Sequence, residues 1–237
     1  HRQSLVGAVF GSVVGAAVAL DVVGFRLRGL ANASLTGQVN RDGTKLGQYA
    51  FAPGAEILDV SDARGAVIYP ARLAGLKLDS GKVRWYSLNP QGEIEALILN
   101  DVTGDAYQYG LLTRMTEEGE GMNRYCTYEY DLGGVSYALT GSTRYHLNGI
   151  GLRVLGDPSK PDKLQSLTAT KAGQVTGRQL IEGNQNYTLS DDVLVYEFRD
   201  NRYYLSGLAR AEEGGSVTGY YDKAEAQGGR VRVIVVK

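Results

Sequence analysis

The sequence predicts an all-β fold: two related small β units, each a sandwich or partly open barrel, with a further β segment between them. Three observations lead there. Glycine and tyrosine are abundant, at 32 and 16 of 237 residues, and proline is scarce at 5, a composition suited to short strands joined by tight turns. Several runs alternate with a period of two, as strands do. And a set of short motifs recurs in the same order, the mark of a repeated structural piece.

The repeat sets the boundaries. "GQV" stands at 37–39 and again at 173–175, and a tyrosine follows each, Tyr49 and Tyr187. "GKVRWY" at 81–86 matches "GSVTGY" at 215–220, and "GEIEALIL" at 92–99 matches "GRVRVIVV" at 229–236. The predicted organisation is an apolar N-terminal segment of uncertain role over 1–36, a first β unit over 37–113, connecting hairpins and a loop over 114–172, and a second, related unit over 173–237.

The elements follow in chain order. Opening on His1, the sequence reads as a processed or cut-down piece. Residues 5–20 carry no charge, yet fall short of the roughly 20 residues of a membrane span; membrane contact is not expected, and a buried helix or two small-residue strands are the readings left open. "TGQVNRD" and "GQVTGRQ" are expected to open the two units as strands, followed by "AEILDV" and "VLVYEF". In the latter Val193, Val195 and Glu197 face one way and Leu194, Tyr196 and Phe198 the other. "LSGLARAEEGG" has the character of a short helix. The closing strands begin with one wet face (Glu93 and Glu95; Arg230 and Arg232) and finish apolar on both faces, so their second halves must be covered from both sides. In the second, Val231, Val233 and Val235 are expected to share a face.

The turns are legible too. "NPQG" at 89–92 places Pro90 and Gly92 where a tight connection needs them, whereas "DKAEAQGG" reads as a mobile surface tip. Between the repeats, "DAYQYGLLT", "RYCTYEYD" and "VSYALTG" read as strands, with a hairpin at Gly133–Gly134 and with Cys126, Tyr128 and Tyr130 on one face. "TEEGEGMN" at 116–123 reads as an acidic loop, and "GDPSKPDK" at 156–163, with two of the five prolines, as an exposed loop or linker.

The chemistry-bearing residues form no recognised catalytic set, and no cofactor is expected. A formal charge of −1 gives no electrostatic footing for nucleic acid. One cysteine, Cys126, precludes a bridge within the chain, and with His1 and His146 as the only histidines a structural zinc site has too few ligands. His146 reads as an ordinary strand or loop residue. Asp101, Asp105, Asp191 and Asp192 lie near strand ends without calcium-loop spacing, which favours turn formation over metal binding. The aromatic residues Trp85, Tyr86, Tyr203, Tyr204, Tyr220 and Tyr221 fall at corresponding places in the two copies. They read first as sheet packing and second as a platform for a sugar ring or a protein partner.

"GSVTGYYDKAEAQGGRVRVIVV", "LILNDVTGDAYQYGLLT" and "DDVLVYEF" resemble the C-terminal β-rich regions of cell-surface proteins from gut Clostridia and relatives, proteins that carry S-layer homology modules elsewhere in the chain. The resemblance covers 37–113 and 173–237. It implies an extracellular or wall-associated setting and a non-catalytic structural or adhesive role, as a spacer or binding platform packed against other modules of the same polypeptide. It supplies no catalytic residue. The alternatives are a carbohydrate-binding module using the exposed aromatics, a glycan hydrolase, and a binder of host surface protein through a patch near 116–123 or 221–229.

Overall fold

The computed structural model describes residues 34–237, together with the backbone of two short strands, β1 (Val13–Val14) and β2 (Ala17–Ala19). The rest of the predicted apolar segment lies outside the described residues. The fold is all-β, and among the described residues no helix is long and apolar enough to cross a membrane. The chain divides into two compact units: residues 1–107 with 226–228, and residues 108–225 with 229–237.

In unit 1 the strands are β3 (Gly37–Gln38), β4 (Lys45–Leu46), β5 (Tyr49–Ser61), β6 (Arg64–Ile68), β7 (Lys77–Leu78), β8 (Val83–Leu88) and β9 (Ile94–Asn100). The main sheet runs β1-β2-β6-β5-β9-β8, with β4 paired to the start of β5. Every neighbouring pair is antiparallel except β5 and β9, which run parallel. A turn of 3₁₀ helix, Pro70–Leu73, lies between β6 and β7; Pro70 opens it, where a missing N–H costs nothing. In the tight turn before β9, Gly92 sits at φ 76° and donates to Asn89 O at 2.9 Å. Only glycine takes that backbone freely.

Unit 2 holds β10 (Gln108–Glu118), β11 (Tyr125–Leu132), β12 (Val135–Gly141), β13 (Gly151–Asp157), β14 (Lys160–Ser166), β15 (Thr168–Ala169), β16 (Gln174–Thr176), β17 (Gln179–Glu182), β18 (Gln185–Arg199), β19 (Arg202–Ser206), the helix α1 (Leu208–Glu212), β20 (Val217–Tyr221) and β21 (Val231–Val236). They form two sheets. One has the order β12-β11-β10-β13-β14, the other β15-β20-β21-β18-β17-β16 with β19 also on β18. Leu111 of the first sheet packs with Tyr196, Tyr220, Val233 and Val235 of the second in one buried cluster, so the two sheets make a sandwich. The opposite face of β21 and of the second half of β18 is covered by α1 and by the β16–β17 hairpin, which pairs only with the start of β18; there Val175, Leu180 and Ala211 meet Val195, Ile234 and Val236. That is why β18 and β21 are apolar on both faces.

Residues 37–100 and 173–237 share a strand pattern. In unit 1 the order β6-β5-β9-β8 carries antiparallel, parallel and antiparallel pairings; in unit 2 the order β19-β18-β21-β20 carries the same three. Two irregularities match as well, although β8 carries a further shift beside Arg84 that β20 lacks. The parallel pairing slips between Phe51 and Glu56 in one unit and between Leu189 and Leu194 in the other. On the other side of the closing strand a bulge leaves out Glu95 in β9 and Arg232 in β21. A two-residue turn follows the long strand each time, with Asp62 at φ 50° and Asp200 at φ 51°.

Four details depart from the sequence reading. Residues 156–163 are no linker: they form the tip of the β13–β14 hairpin, with Asp157 Oδ1 accepting from Ser159 N at 2.8 Å. Pro161 is tolerated because β14 is an edge strand. The acidic loop is shorter than 116–123, since β10 extends to Glu118. The tip at 222–229 lies at the surface as expected, with 224–227 exposed, but it is held at both ends: the Asp222 side chain is enclosed, and Gly228 and Gly229 are buried. Finally, Val231 does not share a face with Val233 and Val235, because the bulge at Arg232 shifts the alternation; Val231 packs with Ile234 and Val236 instead.

Candidate functional site

A buried ion pair lies in unit 2, where the sequence predicted a wet strand face. Arg232 is 4% exposed and the Asp222 side chain is fully enclosed. The bulge in β21 turns Arg232 out of the alternation, and the slip in β18 gives it room beside Ser190. Arg232 Nη2 and Nε donate to Asp222 Oδ2 at 3.0 and 3.3 Å, and Nη1 donates to Ser190 Oγ at 3.4 Å. The guanidinium also lies 4.6 Å from the centre of the Tyr109 ring, a cation–π arrangement.

Asp222 is saturated. Oδ1 accepts from Arg230 N at 2.9 Å and Lys223 N at 3.1 Å, while Oδ2 also accepts from Tyr109 O–H at 3.3 Å. Burial by itself would push this carboxyl up. Arg232, the Arg230 amide and Arg153 outweigh burial and hold it below its ordinary value of 3.8. A carboxylate so engaged is a poor base or nucleophile, since each lone pair it would use already holds a donor. Its chemistry is to close the loop from 222 to 230.

Unit 1 buries a carboxylate differently. Asp59, on β5, is fully buried, and it accepts from Val102 N at 2.9 Å, Thr103 N at 2.6 Å and Thr103 Oγ1 at 2.6 Å. Burial raises its pKa, and the bonds from Thr103 and Val102 offset that only in part. These bonds fix the chain as it leaves β9. Next to them, Asp101 accepts from Ser61 Oγ at 2.6 Å, and Arg72 Nε pairs with Asp105 Oδ2 at 3.2 Å.

The aromatic residues singled out in the sequence do not form one surface. Trp85 and Tyr86 are half-buried on β8 of unit 1, where Tyr86 lies 6.5 Å from Tyr49. In unit 2, Tyr220 and Tyr203 belong to the apolar cluster between the sheets, with Tyr203 against Phe198 at 4.8 Å. Tyr221 stacks on Tyr187 at 5.4 Å at the opposite face, and Tyr204 lies under Arg199 at 4.2 Å. The tyrosines buried deepest were not among those six. Tyr128, Tyr130 and Tyr196 are each 1% exposed; Tyr130 is pushed up to about 12 by burial, and Tyr196 is raised further by burial and by its bond to Asp131 Oδ1 at 2.8 Å. Tyr128 and Tyr130 share a face with Cys126, as the alternation predicted, and that face is buried.

His146 is exposed and lines a shallow depression of about 310 Å³ with Met115, Arg144, Tyr145, Leu147 and Asn148. Arg144 pairs with Glu117 at 3.7 Å. Among the described residues no three His, Cys, Asp or Glu side chains gather where they could hold a metal ion. Asp191 is fully exposed and 3.6 Å from Arg178. No family model, no curated protein and no solved structure matches this chain.

Proposed function

We propose that this chain is a non-catalytic structural module of a bacterial cell-surface protein, a spacer that holds other modules or binding loops away from the wall. On this reading residues 37–100 and 173–237 are two copies of one β half. The observation that carries it is the matched strand order, direction and bulge position of the two halves. In each, the closing strand is central and hydrogen-bonded on both sides, so a pull along it loads two ladders together. The buried ionisable groups support the same reading, because Asp222 and Asp59 are committed to backbone amides and hold loops. The extracellular or wall-associated setting rests on the resemblance of 37–113 and 173–237 to clostridial surface proteins.

Single-molecule stretching of the chain tests this. The expected record is discrete unfolding steps at forces well above those for a helical bundle of similar size pulled at the same rate. Smooth extension at low force would contradict a spacer role. Screening against a glycan array and host secretions distinguishes the adhesive version, in which a ligand is retained, from the purely structural one.

A further inference from the structure

The two β halves differ at one edge. In unit 1, β6 is not the end of its sheet: β2 pairs with it antiparallel, Ala17 opposite Ala66, Val18 opposite Gly65 and Ala19 opposite Arg64. In unit 2 the strand at the corresponding place is β19, and among the described residues β18 is its only partner. Exposure follows the pairing. Gly65, Ala66 and Ile68 of β6 are buried, whereas Leu205 of β19 is 50% exposed and Arg202 and Ser206 are exposed too.

The backbone direction at this edge follows from the hairpin. Asp200 and Asn201 form its two-residue turn, at φ 51° and 60°, so the closing pair Arg199–Arg202 bonds inward. Alternation then turns the N–H and C=O of Tyr203 and Leu205 away from β18. In β6 the same position is Gly65, which faces Val18. Natural edges of this kind are guarded by proline, lysine or bulges. The edge strand β14 carries all three, with Lys160, Pro161, Lys163 and a register shift beside Gly156. Within β19 the outward positions are Tyr203 and Leu205, and neither guards the edge.

We infer that the free edge of β19 is a docking site for an extended, antiparallel peptide strand of small apolar residues. Addition of a strand to a sheet edge draws its affinity from main-chain bonds and its selectivity from alternate side chains. Tyr203 and Leu205 lie on the face of Phe198 and Tyr196, where a cross-strand alanine, glycine or valine would fit beneath the larger side chains. β2 has that composition and fills the corresponding edge of unit 1.

The test is amide hydrogen exchange on the full chain with a synthetic peptide of residues 13–20, VVGAAVAL, carrying a solubilising lysine tag. At about ten times its dissociation constant the peptide should slow exchange at the Tyr203 and Leu205 amides about tenfold, and leave the free edge of β12 unchanged. Leu205→Pro should abolish the slowing with little change in the unfolding midpoint, because that N–H bonds nothing in the hairpin. Leu205→Lys, which keeps the backbone intact, should weaken it. The proposal is overturned if the two amides are unaffected at saturation, or if a charged peptide of equal length protects them equally. It is also overturned if slowing is confined to Gly65 and Val67. Protection that rises with chain concentration alone would make a second copy the occupant and would overturn it too.

Discussion

Asp59 and Asp222 are both buried carboxylates that hold a loop beside a closing strand, and they are stabilised in opposite ways. Asp59 faces only backbone amides and a hydroxyl, and burial raises its pKa. Asp222 faces Arg232, and its pKa falls despite burial. The two sit at opposite ends of their closing strands: Asp59 binds the chain as it leaves β9, whereas Asp222 lies beside the bulge near the start of β21, where unit 2 places Arg232 and unit 1 has the half-buried Glu95. The same backbone irregularity hosts opposite charges. The scaffold therefore fixes where a side chain leaves the sheet, and the side chain decides which electrostatics the unit acquires.

The sharpest way to break the comparison is to remove the cation. Arg232→Met leaves the Asp222 carboxylate enclosed without its partner, and a buried pair broken this way costs about 3–5 kcal/mol. Urea unfolding should register that loss, while Glu95→Met, at the matching bulge of unit 1, should change stability by less than about 1 kcal/mol because its side chain is only half-buried. The next test concerns the shared core. Leu97 and Ile234 hold corresponding places on β9 and β21 and both are 0% exposed. Leu97→Ala and Ile234→Ala should each cost about 2–5 kcal/mol; a cost for only one of them would separate the units.

The pH dependence should differ in sign between the two carboxylates. Asp222, held below 3.8, contributes stability that is present above that value and is lost as pH falls through its folded pKa. Asp59, raised above 3.8, contributes stability that is full below that value and declines as pH rises through its folded pKa. Asp222→Asn should therefore flatten the acid limb of a stability-against-pH curve, and Asp59→Asn should flatten the decline toward neutral pH. The smallest expected effect is at Tyr204, under Arg199. Tyr204→Ala should cost about 0.5–1 kcal/mol, the worth of an exposed cation–π pair, and unit 1 has no counterpart, since Ser61 and Ala66 hold those places.

The repeat and the strand periodicity made the fold class readable. "GEIEALIL" and "GRVRVIVV" each showed a strand that ends greasy on both faces, and both are buried centre strands. The parallel pairing was not readable, because alternation is indifferent to strand direction. Arg232 was misplaced for a related reason. A strict period of two puts Arg230 and Arg232 on one wet face, and only a bulge, which the pattern cannot report, turns Arg232 inward. Residues 156–163 misled because proline and charge mark an edge hairpin as readily as a linker. The Asp222 site combines Tyr109 with residues more than a hundred positions later, a proximity that local patterns do not encode.

The most direct measurement of the shared architecture is a set of backbone NOEs across the two parallel pairings. Leu97 should show parallel-strand contacts with Ile57, and Ile234 with Val195. Antiparallel contacts at either place, or none, would mean that β9 and β21 are not equivalent strands and would contradict the account.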